Sequence, residues 1–199
     1  LLVPSVMTVL QNYRTSEYIN GWNAVLYNNV QRYLHILSCF FFPPDLPARP
    51  NVTPDSGSKW ASLGAWLPLF GMTGVIGWLQ MRRKHWLKKF LWILFLMALV
   101  PFLNASFQMM NSAYYARWYY MLTLMMAMTT VLALENDRIN WKRSILWTVT
   151  ITLGIALVVG FMPTFETVDG TETVSYGLED YPTRFWSYVA ISLVSIAAV

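Results

Sequence analysis

Apolar residues in this chain run in blocks rather than in amphipathic periods. Four blocks approach the roughly 20 residues that a bilayer-spanning helix needs: 60–80, 90–107, 118–134 and 145–162. Two shorter ones, 1–10 and 185–199, flank them as partial spans. The second and third blocks are slightly short, so their ends are expected to extend into flanking aromatics. Pro68 and Pro101 predict kinks in the first two spans. The expected fold class is all-α, a polytopic transmembrane helical bundle. The sequence opens at Leu1 and stops at Val199 inside apolar runs, which reads as an internal piece of a longer multi-pass protein.

One stretch between the blocks follows a helical period. Trp22, Val25, Leu26, Val30, Tyr33, Leu34, Leu37 and Phe41 recur on one side, and Asn23, Gln31, Arg32 and His35 fall largely on the other. With Asn20 as its cap and Pro43-Pro44 as its stop, the pattern predicts an amphipathic helix over 22–42. Such a helix is expected to lie along the outer membrane surface. A Pro-rich extended strap, 43–54, follows it. Residues 163–184 are acidic and polar and read as a solvated outer hairpin. Gly64, Gly71, Gly74 and Gly77 permit close helix packing without specifying a dimer.

Composition supports the bilayer reading. The chain is 56% hydrophobic and 12% charged, with ten Trp, where an average soluble domain carries about 25% charged residues. The net charge of +4 is unevenly spread. Connectors 81–89 and 135–144 hold Arg82, Arg83, Lys84, Lys88, Lys89, Arg138, Lys142 and Arg143, eight of the fourteen basic residues. An alternating threading puts both connectors on one side, which the positive-inside rule makes cytoplasmic. The extracytoplasmic side then holds 11–59, 108–117 and 163–184. The positive balance is a topological signal, and no nucleic-acid partner is expected. The expected location is a bacterial cytoplasmic membrane, with the lipid bilayer as first partner. Cys39 is the single cysteine, so no disulfide or cysteine metal site arises within the sequence.

The chemistry concentrates in residues 111–120, where Arg117 sits among Tyr114, Tyr115, Trp118, Tyr119 and Tyr120. The rings suit an interfacial belt, and a cation at that depth needs compensation. Two readings stay open: a structural arginine paired with a carboxylate, or a phosphate ligand, since guanidinium forks match phosphate oxygens. Asn104, Gln108 and Asn111 line the same rim and suit a sugar or head group. Arg14, Arg32, Arg49 and Lys59 are further outer cations; each alone reads as a solvated charge, and with Arg117 they suit an anionic lipid-linked substrate. Asp45, Asp55, Glu179 and Asp180 show no pairing that marks a general base. No cofactor is evident, and no ligand cluster argues for a divalent metal.

Three runs carry a resemblance: Tyr33-Leu-His-Ile with Phe40-Phe-Phe-Pro-Pro-Asp-Leu-Pro-Ala-Arg-Pro; Lys59-Trp-Ala-Ser with Trp66-Leu-Pro-Leu-Phe-Gly; and Asn111-Ser-Ala-Tyr-Tyr-Ala-Arg-Trp-Tyr-Tyr-Met-Leu. In these the chain resembles the YfhO family of bacterial multi-pass membrane proteins. The resemblance implies a glycosyltransferase of the GT-C type. Such an enzyme moves a sugar from a polyprenyl-phosphate donor to an envelope glycopolymer such as lipoteichoic acid, on the outer face. It also implies a catalytic carboxylate in an earlier outer loop. The expected substrate-binding residues are Arg117, Tyr114, Tyr115, Asn111, Gln108, Arg49 and Lys59. The alternatives are a lipid-carrier flippase, which would want mid-membrane charge and broken helices, and a non-catalytic partner in envelope assembly.

Overall fold

The computed structural model describes residues 21–44, 64–81, 84–108, 114, 117–168, 171–177 and 181–199. The protein is mostly helical. We number the helices α1 (Val30–Phe41), α2 (Thr73–Gln80), α3 (Trp86–Leu99), α4 (Pro101–Ala105), α5 (Tyr119–Leu134), α6 (Trp141–Phe161) and α7 (Pro182–Ala197). A short 3-10 turn, Gly21–Ala24, precedes α1. One antiparallel hairpin interrupts the helices: β1 (Pro163–Val168) pairs with β2 (Thr171–Tyr176), from Pro163 opposite Tyr176 to Val168 opposite Thr171. It falls where the polar 163–184 stretch reads as a hairpin.

Helix α6 has 21 residues and a mean hydropathy of 2.1 in its most apolar window. At 1.5 Å per residue it is about 31 Å long, the thickness of a bilayer core. Among the described residues it is the one helix long and apolar enough to cross a membrane alone; α5 is apolar but shorter.

Its faces are inverted relative to a water-soluble helix. Ser144, Thr148, Thr152, Ile155, Ala156 and Val159 are buried, whereas Leu146, Trp147, Leu153, Leu157, Val158 and Phe161 are exposed. Small and hydroxylated residues let backbones approach. Their hydroxyls bond one turn back, Thr148 Oγ1 to the Ser144 carbonyl at 2.8 Å and Thr152 Oγ1 to the Thr148 carbonyl at 2.7 Å. Helix α2 packs on this face and on α5. A Cβ on Gly74 would lie 2.5 Å from Thr130 Cγ2, and one on Gly77 would lie 2.8 Å from Ser144 Oγ. The two glycines thus admit two neighbours.

The first two apolar blocks fold differently from uninterrupted spans. Among the described residues of 60–80, which begin at 64, only Thr73–Gln80 is α-helical. Residues 64–72 form an irregular turn through Pro68, with Leu69 at φ 70 and Gly71 at φ 50. The left-handed region suits Gly71 but strains Leu69. In 90–107, α3 starts earlier, at Trp86, and stops before Pro101, which opens α4. Val100 is extended because a residue before proline is pushed out of the helical region.

The amphipathic stretch is corrected in two respects. The α-helix begins at Val30, capped by Asn29, whose Oδ1 accepts from the Gln31 amide at 2.8 Å. Its facing also differs: Arg32, Ile36, Cys39 and Phe40 are buried, while Trp22, Val25, Leu26, Val30 and Leu37 are exposed. Tyr33 and Leu34 pack partly against the core. Helix α1 does not simply rest on the bundle. Phe40 meets Phe95 of α3 and Tyr119 of α5, and Ser192 Oγ of α7 donates to the Phe41 carbonyl at 2.9 Å.

Candidate binding site at the aromatic end of the bundle

The two ends of the bundle differ in chemistry. At one end Trp78, Ala133 and Ile139 form a small cluster, with Met81, Leu132 and Trp141 packed on it. That contact brings connectors 81–89 and 135–144 together. The Lys88 ammonium donates to the Met81 carbonyl there. At the other end lie the aromatics that lead into α1 and α5.

Proline creates the anchor for that second end. Because α3 stops before Pro101, carbonyls of its last turn lose helical donors. The Ala98 carbonyl is taken by the Tyr27 hydroxyl at 3.1 Å, and Asn104 Nδ2 approaches it at 3.5 Å. Tyr27 is fixed further by its own amide, which donates to Tyr33 Oη at 3.0 Å. Its ring stands edge-on to Tyr33, centroids 5.3 Å apart, and to Tyr114, 5.7 Å apart.

Arg32, on the first turn of α1, completes the cluster. Its guanidinium lies 5.3 Å from the centroids of both Tyr27 and Tyr114, and the residue is only 6% exposed. Aromatic faces stabilise a desolvated cation electrostatically, by about 2 kcal/mol at a buried site. Burial pushes the Tyr27 phenol above its ordinary value, and Arg32 opposes that rise by favouring the phenolate. Tyr114 is likewise held well above the ordinary phenol range, chiefly by burial. Both phenols are therefore neutral at neutral pH.

The expected substrate-binding residues are distributed differently. Tyr114 lies in the cluster. Arg117, two residues before α5, is exposed, so it is not the cation enclosed by aromatics; Arg32 is. Trp118 turns inward, stacked on Phe107 with centroids 4.5 Å apart. Gln108 ends the 3-10 turn after α4. Tyr115, Asn111, Arg49 and Lys59 lie outside the described residues, as do Arg14, Asp45, Asp55, Glu179 and Asp180.

Two residues gain weight from the structure. Arg32 reads in the sequence as a solvated charge. The signal for its burial is the row Arg32, Ile36, Cys39, Phe40, spaced as one helical face. Arg184 opens α7 with its guanidinium 4.4 Å from the Tyr181 ring centroid, a second cation–aromatic pair at the hairpin end.

No protein-family model, curated protein or solved structure matches this chain.

Proposed function

We propose that this chain is the membrane-embedded part of a polytopic glycosyltransferase, which moves a sugar from a polyprenyl-phosphate carrier to an envelope glycopolymer on the outer face. The observation that carries the membrane reading is the inversion of α6: hydroxyls and small residues inside, Leu, Trp and Phe outside. In water the exposed residues would leave a large apolar patch; in lipid they face the medium that suits them. The same pattern recurs on α5, which exposes Leu124, Met128 and Val131 while burying Thr129 and Thr130.

Sidedness follows from charge. The connectors rich in Lys and Arg meet at one end, so the aromatic end, with the hairpin, faces out. The transfer reading rests on the resemblance in 33–50, 59–71 and 111–122. It is supported by the chemistry of the outer end: Arg117 is exposed at the mouth of α5, three residues after Tyr114 of the phenol-lined cluster. There Arg117 offers a fork to a carrier phosphate, and aromatic faces offer platforms for a sugar. Cations of this kind stabilise the phosphate that leaves while a base elsewhere deprotonates the acceptor.

Sugar incorporation into envelope polymer by cells carrying the full-length protein tests both layers. Arg117→Ala should reduce transfer by about tenfold or more, and Arg117→Lys by less, since lysine keeps the charge but loses the fork. Wild-type transfer in both variants would overturn the phosphate assignment. Undiminished glycosylation after removal of the whole protein would overturn the enzyme.

A further inference from the structure

Both basic connectors meet through one side chain at the inner end of the bundle. Trp78 of α2 packs with Ala133 and Ile139, and Met81 and Trp141 pack on that cluster. The Trp78 ring also stands edge-on to His85, centroids 5.4 Å apart. His85 caps the start of α3, and Asn140 caps the start of α6. One tryptophan thus gathers the starts of two helices and, with them, both connectors.

The charge gathered there is one-sided. Residues 81–89 and 135–144 hold eight Lys and Arg against Glu135 and Asp137. Among the described residues Lys84, Lys89, Arg138, Lys142 and Arg143 are exposed. Neither helix has an acid in its first turn, where Lys88, Lys89, Lys142 and Arg143 stand instead. A helix start favours anions, so each of these cations adds to an already positive end. Sidedness asks for basic connectors but does not ask that they be drawn together. Like charges drawn together repel, and an anion among them relieves the repulsion.

An apolar cleft opens beside this charge. Its volume is about 390 Å³, and it is lined by Leu69, Phe70, Leu134, Trp141, Ala198 and Val199. That volume falls within the range of ligand sites, about 300–1,000 Å³. Trp141 belongs to both features: it lines the cleft, packs on the Trp78 cluster and is followed by Lys142 and Arg143. An occupant that fits presents hydrocarbon to the cleft and an anion to its rim.

We infer that the cleft seats an acyl chain of one anionic phospholipid of the inner leaflet, its phosphate held by Lys142, Arg143 and the neighbouring connector cations. This rests on the membrane reading above and extends it from a bulk bilayer to one bound lipid. Guanidinium forks match phosphate oxygens, and basic pockets between helices on the cytoplasmic side suit anionic head groups. Trp86, 58% exposed at the start of α3, offers a further ring at head-group level.

Native mass spectrometry of the full-length protein counts bound lipid after incubation in detergent with dioleoyl phosphatidylglycerol or dioleoyl phosphatidylcholine. One phosphatidylglycerol should be retained about tenfold more tightly than phosphatidylcholine, and Lys142→Gln with Arg143→Gln should remove that preference. Leu134 is half-exposed, so Leu134→Trp fills the cleft while keeping every charge. It should weaken retention of phosphatidylglycerol by about tenfold as well. Equal retention of the two lipids by the unaltered protein would overturn the inference. Undiminished binding to Leu134→Trp would also overturn it, since charge attraction would then act without the cleft or another segment of the full-length chain would fill it. Displacement of the lipid by millimolar inorganic phosphate would mark a site for the free anion and overturn it too. A protein that stays monomeric in detergent-free buffer would instead overturn the membrane reading itself.

Discussion

The Arg32 guanidinium lies 5.3 Å from the centroid of the Tyr114 ring, so the first turn of α1 is tied to the connector that leads to Arg117. The tie crosses more than eighty residues of sequence and joins the aromatic cluster at that end of the bundle into one unit. Arg32→Ala should cost about 2–4 kcal/mol, because it removes a desolvated cation–aromatic contact and leaves a gap among buried rings. Arg117→Ala, at an exposed position, should stay within about 0.5 kcal/mol. Thermal unfolding in detergent measures both. Equal losses would mean that Arg32 contributes no more than a surface charge.

The phenols beside Arg32 predict a pH dependence at the alkaline end. The ordinary phenol value is 10.0, and burial raises both Tyr27 and Tyr114 above it in the folded protein. Unfolded chains ionise first as pH rises, so the stability linked to these groups is complete below pH 10 and is lost as pH climbs through the folded values. Arg32 favours the Tyr27 phenolate, so Arg32→Met should shift Tyr27 titration still higher. The difference in phenolate absorbance between each protein and its Tyr27→Phe counterpart reads the shift. A downward shift would contradict the arrangement.

Two glycines should behave oppositely. Gly74→Ala places a methyl 2.5 Å from Thr130 Cγ2 and should cost about 1–3 kcal/mol through overpacking. Thr130→Ala in the same chain should recover part of the loss. Gly154, also helical, has nothing within 4 Å of an added Cβ, so Gly154→Ala should be neutral or stabilising by up to about 1 kcal/mol. Unfolding of the three variants in parallel separates crowding from backbone propensity.

Cys39 is a buried free thiol on the face of α1 that meets the bundle. Maleimide should label it at least about tenfold more slowly in the folded protein than after denaturation, since reaction requires local opening. Equal rates would place α1 outside the bundle.

Much of the helix layout is legible in residue order because long apolar blocks mark helices without any alternation of polar and apolar residues. Block lengths alone locate α5, α6 and α7 to within a few residues, and the basic connectors mark the end at which Trp78 and Ile139 meet. The facing of α1 is not legible by the same logic. A periodic stretch with one arginine invites the assumption that the arginine meets water. The outcome turns on Tyr27 and Tyr114, one of them about eighty residues away, which cover the guanidinium and let the apolar row turn outward. Pro68 and Gly71 signal a bend but not the loss of helix over 64–72, where the Gly64 carbonyl and Ala65 amide bond to α5 and α1 instead. Arg117 is legible as a residue at a helix mouth, yet its neighbours alone suggest enclosure, and it is exposed because Trp118 and Tyr119 turn inward while it does not.

The irregular 64–72 segment also ties together residues far apart in the chain. Its Ala65 amide relies on the Cys39 carbonyl, and its Gly64 carbonyl is approached at 3.4 Å by Thr123 Oγ1 of α5. A continuous helix supplies its own backbone partners, whereas Gly64 and Ala65 take theirs from a residue 59 positions later and one 26 positions earlier. Native bonding at the start of this segment is therefore complete only when α1 and α5 are both in place.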